Sequence, residues 1–438
     1  MNVTQSSSTL PALTAQEAAH SAALRALLGE RIAAAGGWID FQTFMDLALY
    51  APGLGYYSAG AVKIGGPGQN VGQKAGQSVD QGDFTTAPEM SDLFSRCVAR
   101  QCAQVLEGLG AGGRILELGA GSGRMAAAVL RELASLGRLP QSYDILEVSA
   151  DLAARQRELI GALPADLWGR VRWLTALPES PFEGVLLANE VLDALPCQRF
   201  VVRAGSAPGA VPEGHGGLDD GRSRQVGDDV TGAWVEALGV GLAADGTLLE
   251  KPGPASAALS EDWARLRREL PAPLPVGYTS EICLLTQPWI MSLADCLSRG
   301  VMLLFDYGLP RSQFYLPERT TGTLTAYFKH RAHYDPLINV GAQDLTAWVD
   351  FTRVAEAGLA AGLEVLGFCT QAGFLLGAGL DSLLAQARDP IEQLRLAGEA
   401  RRLLLPGEMG EAFKLMALGR GWDEPLAAFT HQDLRGSL

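Results

Sequence analysis

The sequence predicts an α/β protein built on a mostly parallel sheet with helices on both faces. From Gly113 onward, short apolar runs alternate with helix-length segments, the order expected where crossover helices join parallel strands. At residues 114–130, RILELGAGSGRMAAAVL, a strand runs into glycines and leaves directly as a helix. One long interruption, residues 196–290, follows the fourth strand and would sit at the carboxyl edge of the sheet, where ligands bind in open α/β folds.

The elements follow in order. Ala19, Ala22, Ala23, Leu27 and Ile32 recur at helical spacing and Gly36-Gly37 ends the run, giving a helix over 15–35. A short helix pattern from Phe41 is broken by Pro52 and closes on Tyr56-Tyr57, a pair suited equally to lining a channel and to plugging the core. Residues 61–83, rich in Gly and Gln, read as a mobile loop. Ser91 or Thr86 is placed to cap a helix running to about Leu109. Strands are expected at 114–118, 143–148, 171–174, 184–188, 301–306, 363–369 and 413–418, with helices at 123–135, 150–160 and 351–361. Inside the interruption lie a Gly/Pro/Asp-rich loop over 204–229, a hairpin-like pair near 233–239 and 246–249, and a helix near 260–269.

The 438 residues are 47% hydrophobic and 19% charged, with a mean hydropathy of +0.10, which excludes wholesale disorder, collagen-like repeats and coiled coil. Against 49 acidic residues stand 35 basic ones, a net charge of −14. Such a field repels phosphate backbones, so nucleic acid is not the expected partner and a cationic one suits it better. The six cysteines are scattered without CxxC spacing, the pattern of reduced structural thiols. No apolar run reaches the ~18–20 residues needed to span a bilayer, and no basic or apolar leader pattern precedes Arg25. A cytoplasmic location is the expectation.

The glycine turn discriminates between cofactors. A dinucleotide fingerprint requires GxGxxG or GxGxxA, yet the sixth position is Arg124, and Glu117 lies two residues before Gly119. An acid followed by glycines at 119, 121 and 123 suits S-adenosylmethionine, whose ammonium calls for a carboxylate and which has no pyrophosphate to cradle. Glu147, at the end of the next strand, stands where such folds present a carboxylate to ribose hydroxyls. After the fourth strand, LLANEVLDALP places Asn189, Glu190 and Asp193 beside the methyl donor, although Asn189 and Asp193 read also as helix-capping residues. His330 and His333, near Asp335, have no evident third ligand and read as loop histidines; no metal is expected.

The segments GDFTTAPEMS, ILELGAGSGRMA, LEVSADLAARQRE, ANEVLDALP, GYTSEICL, LLFDYGLP, QDLTAWVDF and GEMGEAFKLMALG occur in this order. Together they closely resemble the MidA-like family of S-adenosylmethionine-dependent methyltransferases over roughly residues 38–420. The resemblance implies a Rossmann-like seven-stranded sheet in two parts, 93–195 and 291–438, a helical and loop cover over 1–92, and a substrate-side subdomain over 196–290. It implies S-adenosyl-L-methionine as cofactor and S-adenosyl-L-homocysteine as product. Gly119, Gly121 and Glu147 resemble the cofactor residues, with Glu117, Gly123 and Asn189 beside them, and Thr85, Thr86, Pro88 and Glu89 resemble the segment folding over the site. Mitochondrial members are assembly factors that methylate an arginine of a respiratory complex I subunit. The corresponding expectation is a protein substrate with a cationic arginine, its guanidinium held by Glu190, Asp193 and Glu281, with Asp306 and Tyr307 next in line; Glu281 reads equally as a surface strand acid. A small-metabolite methyltransferase and a cofactor-binding assembly factor with little turnover are the alternatives. The sequence departs from many members in its Gly-rich 65–80 segment and in Trp348, where a histidine is common.

Overall fold

A computed structural model describes residues 10–58, 86–205 and 233–438. The loop expected at 61–83 lies outside these residues, as does most of the one expected at 204–229.

The principal sheet is made of β1 (Arg114–Leu118), β2 (Tyr143–Leu146), β3 (Val171–Leu174), β4 (Phe182–Asn189), β5 (Leu297–Leu309), β6 (Glu364–Thr370) and β7 (Phe413–Arg420). They lie in the order β6-β7-β5-β4-β1-β2-β3, and a two-residue strand, Val349–Asp350, pairs with the end of β5. The sheet therefore has eight strands against the seven expected. Strands β1 to β5 run parallel, whereas β7 is antiparallel to both β5 and β6.

Alternation along the strands builds two cores. Ile115, Val185, Leu187, Val301, Leu303 and Phe305 face the helices Asp92–Leu109 and Arg124–Ser135. Leu116, Leu186, Ala188, Met302 and Leu304 face Thr286–Asp295 and Phe351–Ala360. Successive strand side chains point to opposite faces, and burial of each large aliphatic residue stabilises the fold by about 1.5–3 kcal/mol. Ser91 caps the helix Asp92–Leu109 by accepting from Leu93 N at 3.1 Å, while Thr86 precedes the one-turn helix Ala87–Met90 without a side-chain capping bond.

The 196–290 region contributes to a second sheet. Trp234–Leu242 pairs with Gln198–Arg203, Leu248–Gly253 and the early strand Ile39–Asp40, and Gln198–Arg203 pairs with Thr279–Ile282. The chain before the principal sheet is thus hydrogen-bonded into the same sheet as the insertion. The helix Ala257–Glu269 is fastened to Phe351–Ala360 by ion pairs: Arg353 on Asp262, and Arg265 on Glu356 at 3.1 Å.

A third sheet joins Arg331–His333, Thr325–Phe328 and Asp344–Thr346. Its hairpin turns on Lys329 and His330, with φ of +47° and +61°. Two consecutive positive values define a tight hairpin turn usually marked by Asn-Gly, so the sequence here gives no such signal. The histidines expected in a loop lie in that turn and in the strand after it.

Candidate active site

A cavity of about 360 Å³ opens at the carboxyl ends of β1, β2 and β4, within the size range of small-ligand sites. One end is built by β1 and the turn after it. Gly119, Gly121 and Gly123 all have positive φ, which lets the chain fold back and start the helix Arg124–Ser135 at once. At Gly123 a Cβ would stand 3.3 Å from the Gln156 backbone, so glycine is required both for its φ of +86° and for this close packing.

Two carboxylates border this end. Glu117, 1% exposed, accepts a 2.7 Å hydrogen bond from the Tyr143 hydroxyl. Burial pushes it up to about 7, against the lowering effect of that bond and with a further rise from Glu147. Among the described residues Glu117 forms no ion pair. Glu147 accepts from Ser149 N and from Gln156 Nε2, each at 2.9 Å, and the same Gln156 amide donates to Gly121 O at 2.9 Å. That amide joins the glycine turn to the end of β2. Thr86, Pro88 and Glu89 line the cavity from the other side, with the Ser122 hydroxyl donating to Glu89.

The opposite end is assembled from distant segments. Tyr50 and Tyr57 stack with ring centroids 5.6 Å apart; the Tyr50 hydroxyl donates to Ala194 O at 2.9 Å and that of Tyr57 to Asp344 Oδ1 at 3.0 Å. Asn189, Glu190, Val191, Ala194 and Leu195 come from the end of β4, and Trp289, Ser292 and Leu293 from the helix Thr286–Asp295. Glu190 has a φ of +54°, a conformation that non-glycine residues seldom adopt and that clusters at functional sites. Asn189 Nδ2 donates to Glu190 Oε1 at 3.2 Å.

Around Glu190 the acids crowd. Burial, then Asp193 and Asp344, raise the Glu190 carboxyl well above the usual carboxylate range. Burial, Asp306 and Asp344 do the same to Asp193, and burial with Glu190 raises Asp306. Like charges gathered away from water favour protonation of some members or the entry of a cation.

Of the residues expected at the site, Thr86, Glu117, Gly119, Gly121, Glu147, Asn189 and Glu190 line this cavity. Gly123 stands directly behind the glycine turn as the helix N-cap. Asp193 is buried beneath it at 5% exposure and does not line it. Glu281 corrects the expectation outright. In the second sheet it sits opposite Arg199, accepts from Thr323 N at 2.8 Å and Thr323 Oγ1 at 3.2 Å, and lines a separate small cavity with Trp348. Paired positions on antiparallel strands point to the same face, so Glu281 turns towards Arg199 and the 319–323 segment and does not line the cofactor cavity. It is also buried, at 2% exposure, and so is no surface acid.

Sequence reasoning passed over Tyr50, Trp289 and Ser292 as site residues. The helix carrying the last two was legible in Ile290, Leu293 and Ala294, an i, i+3, i+4 set behind Pro288. Among the described residues, no group of three or more His, Cys, Asp or Glu is arranged to hold a metal ion.

Residues 97–369 match the family model of S-adenosyl-L-methionine-dependent methyltransferases. The chain belongs to this family. It is 37% identical to a COG1565 superfamily protein from Burkholderia thailandensis whose crystal structure holds S-adenosyl-homocysteine, with a TM-score of 0.84 and 98% and 100% of the two chains covered. It is 28% identical to the mouse protein arginine methyltransferase NDUFAF7, mitochondrial, over 87% of this chain and 81% of that one, and 27% identical to the human protein of the same name, over 87% and 80%. The cofactor of this methyltransferase is S-adenosyl-L-methionine, and the lining fits it: a buried carboxylate without an ion-pair partner, a backbone turn open to close approach, and a strand-end carboxylate. The expected cytoplasmic location is overturned, because these relatives are named as mitochondrial proteins. Composition and the lack of a long apolar run bear on membrane spanning and leave the compartment undetermined.

Proposed function

We propose that the chain methylates an arginine side chain of a protein. The observation that carries this reading is Glu190, which lines the far end of the cofactor cavity with Asp193 and Asp306 buried behind it, none of the three having an ion-pair partner among the described residues. The printed names of the relatives, protein arginine methyltransferases, support it, and the net charge of −14 favours a basic segment as partner. A subunit of a respiratory complex is the first candidate.

When bound, S-adenosyl-L-methionine supplies a sulfonium methyl group to a nucleophile. Glu117 would hold the cofactor's ammonium and Glu147 its ribose hydroxyls, beside the glycine turn at 119–123. Glu190 accepts paired N–H bonds from the guanidinium, fixing its plane and drawing positive charge towards the nitrogens that do not attack. Arrival of the cation favours the ionised form of Glu190, and an N–H proton released from the methylated nitrogen can pass to this carboxyl. Tyr50, Tyr57 and Trp289 flank the aliphatic stem of the arginine and exclude water. Lysine, a point charge without the planar fork, fits two-point binding less well.

Thermal stabilisation tests the choice of side chain. Protein saturated with S-adenosyl-homocysteine should gain stability from an arginine peptide and not from its lysine counterpart; equal gains, or a gain from lysine alone, remove the guanidinium reading.

A further inference from the structure

We propose that Asp306 is a positioning residue, fixing the turn that presents Glu190 to the cavity. Strands β4 and β5 are neighbours with Asn189 in register with Phe305, so Glu190 and Asp306 follow side by side where the two strands run out. Glu190 N donates to Phe305 O at 2.9 Å. Beyond it the chain turns, and three successive amides converge on one oxygen: Val191 N at 3.2 Å, Leu192 N at 2.9 Å and Asp193 N at 3.2 Å all donate to Asp306 Oδ2. Asp306 Oδ1 accepts from Tyr307 N at 2.9 Å. The residue is 0% exposed and does not line the cavity.

Two physical points give this arrangement its meaning. Three buried N–H groups in a tight turn require an acceptor, and a carboxylate is the one side chain that serves all three with a single charged oxygen. A non-glycine residue at positive φ is strained and persists only where its surroundings hold it. Asp306 is that hold for Glu190. Acting through Glu190, it makes no contact with the substrate, which corrects its place as a candidate guanidinium ligand. The groups facing Glu190 are Asp193 from its own turn, Asp344 and Tyr327 from the third sheet, and Asp306 and Tyr307 from β5.

The inference rests on the guanidinium reading in one of its two tests only. In the first, infrared difference spectra of wild type against E190Q isolate the Glu190 carboxyl band, which is titrated in wild type and in D306N, both loaded with S-adenosyl-homocysteine. D306N, which frees the turn and lets water reach Glu190, is expected to move the Glu190 midpoint down towards the ordinary carboxylate range; an unmoved midpoint overturns the proposal. In the second, the affinity for N-acetylarginine amide is measured in wild type, E190Q, D306N and the double variant. Each single change is expected to weaken binding about tenfold or more, with the double variant no weaker than E190Q alone. Losses that multiply overturn the proposal. A wild type that ignores the arginine probe sinks the guanidinium reading, while the titration still judges Asp306. Unchanged affinity for S-adenosyl-homocysteine reports an intact fold, and D306E, which moves the carboxylate by one methylene, carries the same two readouts if D306N does not fold.

Discussion

The two ends of the cavity hold their carboxylates in opposite ways. At the cofactor end, Glu117 and Glu147 each have donors supplied from nearby in the chain: Tyr143 for one, Ser149 and Gln156 for the other. At the far end, Glu190 has one neighbouring amide, and the next influences upon it are Asp193 and Asp344. The first end is therefore formed before any ligand arrives, while the second is an accumulation of like charge that a cation relieves. On the proposed reading, binding of the donor and recognition of the acceptor fall to separable sets of side chains, and substitutions should separate them.

The largest effect is expected from E190Q, which should lower the methyl-transfer rate by about 10²–10⁴-fold and leave cofactor affinity near that of wild type in a calorimetric titration. A parallel loss of cofactor affinity would merge the two ends into one. E117Q should act in the reverse sense, weakening S-adenosyl-homocysteine by about 10- to 100-fold, the value of a charged hydrogen-bonded contact, with little change in the arginine-probe affinity of protein saturated with cofactor.

The same carboxyl sets a pH dependence. Its folded value, about 7, lies above the ordinary value of 4.5 for a free carboxyl, so the folded protein binds the extra proton in between. The stability this gives the ligand-free protein is full below about pH 4.5 and is lost as pH rises to about 7. Cofactor affinity, which needs the carboxylate, should rise over the upper part of that window. Melting curves and titrations of wild type against E117Q check both signs; matching profiles would remove Glu117 from cofactor binding. The smallest effect is expected from G123A, where the strained φ and the contact with Gln156 should cost about 1–2 kcal/mol of stability, read as a lowered Tm, with arginine-probe affinity maintained at saturating cofactor.

The contrast also explains what was legible in the sequence. The cofactor end is local: one strand–turn–helix unit and the next strand supply Glu117, the glycines and Glu147 within residues 114–147, and hydrophobic period and glycine placement reveal such a unit directly. β1 and β3 accordingly have the bounds expected. The far end is a meeting of residues 50–57, 189–195, 289–293 and 306–344, and only the fold brings these together. Glu281 shows the cost of reading such a region by residue type, since strand pairing turned it towards Arg199. Asp344 was hidden for a different reason, carried on a sheet whose Lys329-His330 turn has no sequence signature.

The central claim is that the acidic end receives an arginine of a protein. It is tested most directly by supplying wild type and E190Q with S-adenosyl-L-methionine labelled in the methyl group, together with lysate of the source organism, and analysing the amino acids released by hydrolysis of the protein fraction. The account predicts labelled methylarginine with wild type and none with E190Q. Label from wild type confined to small molecules or to another amino acid, or equal methylarginine from E190Q, would contradict it.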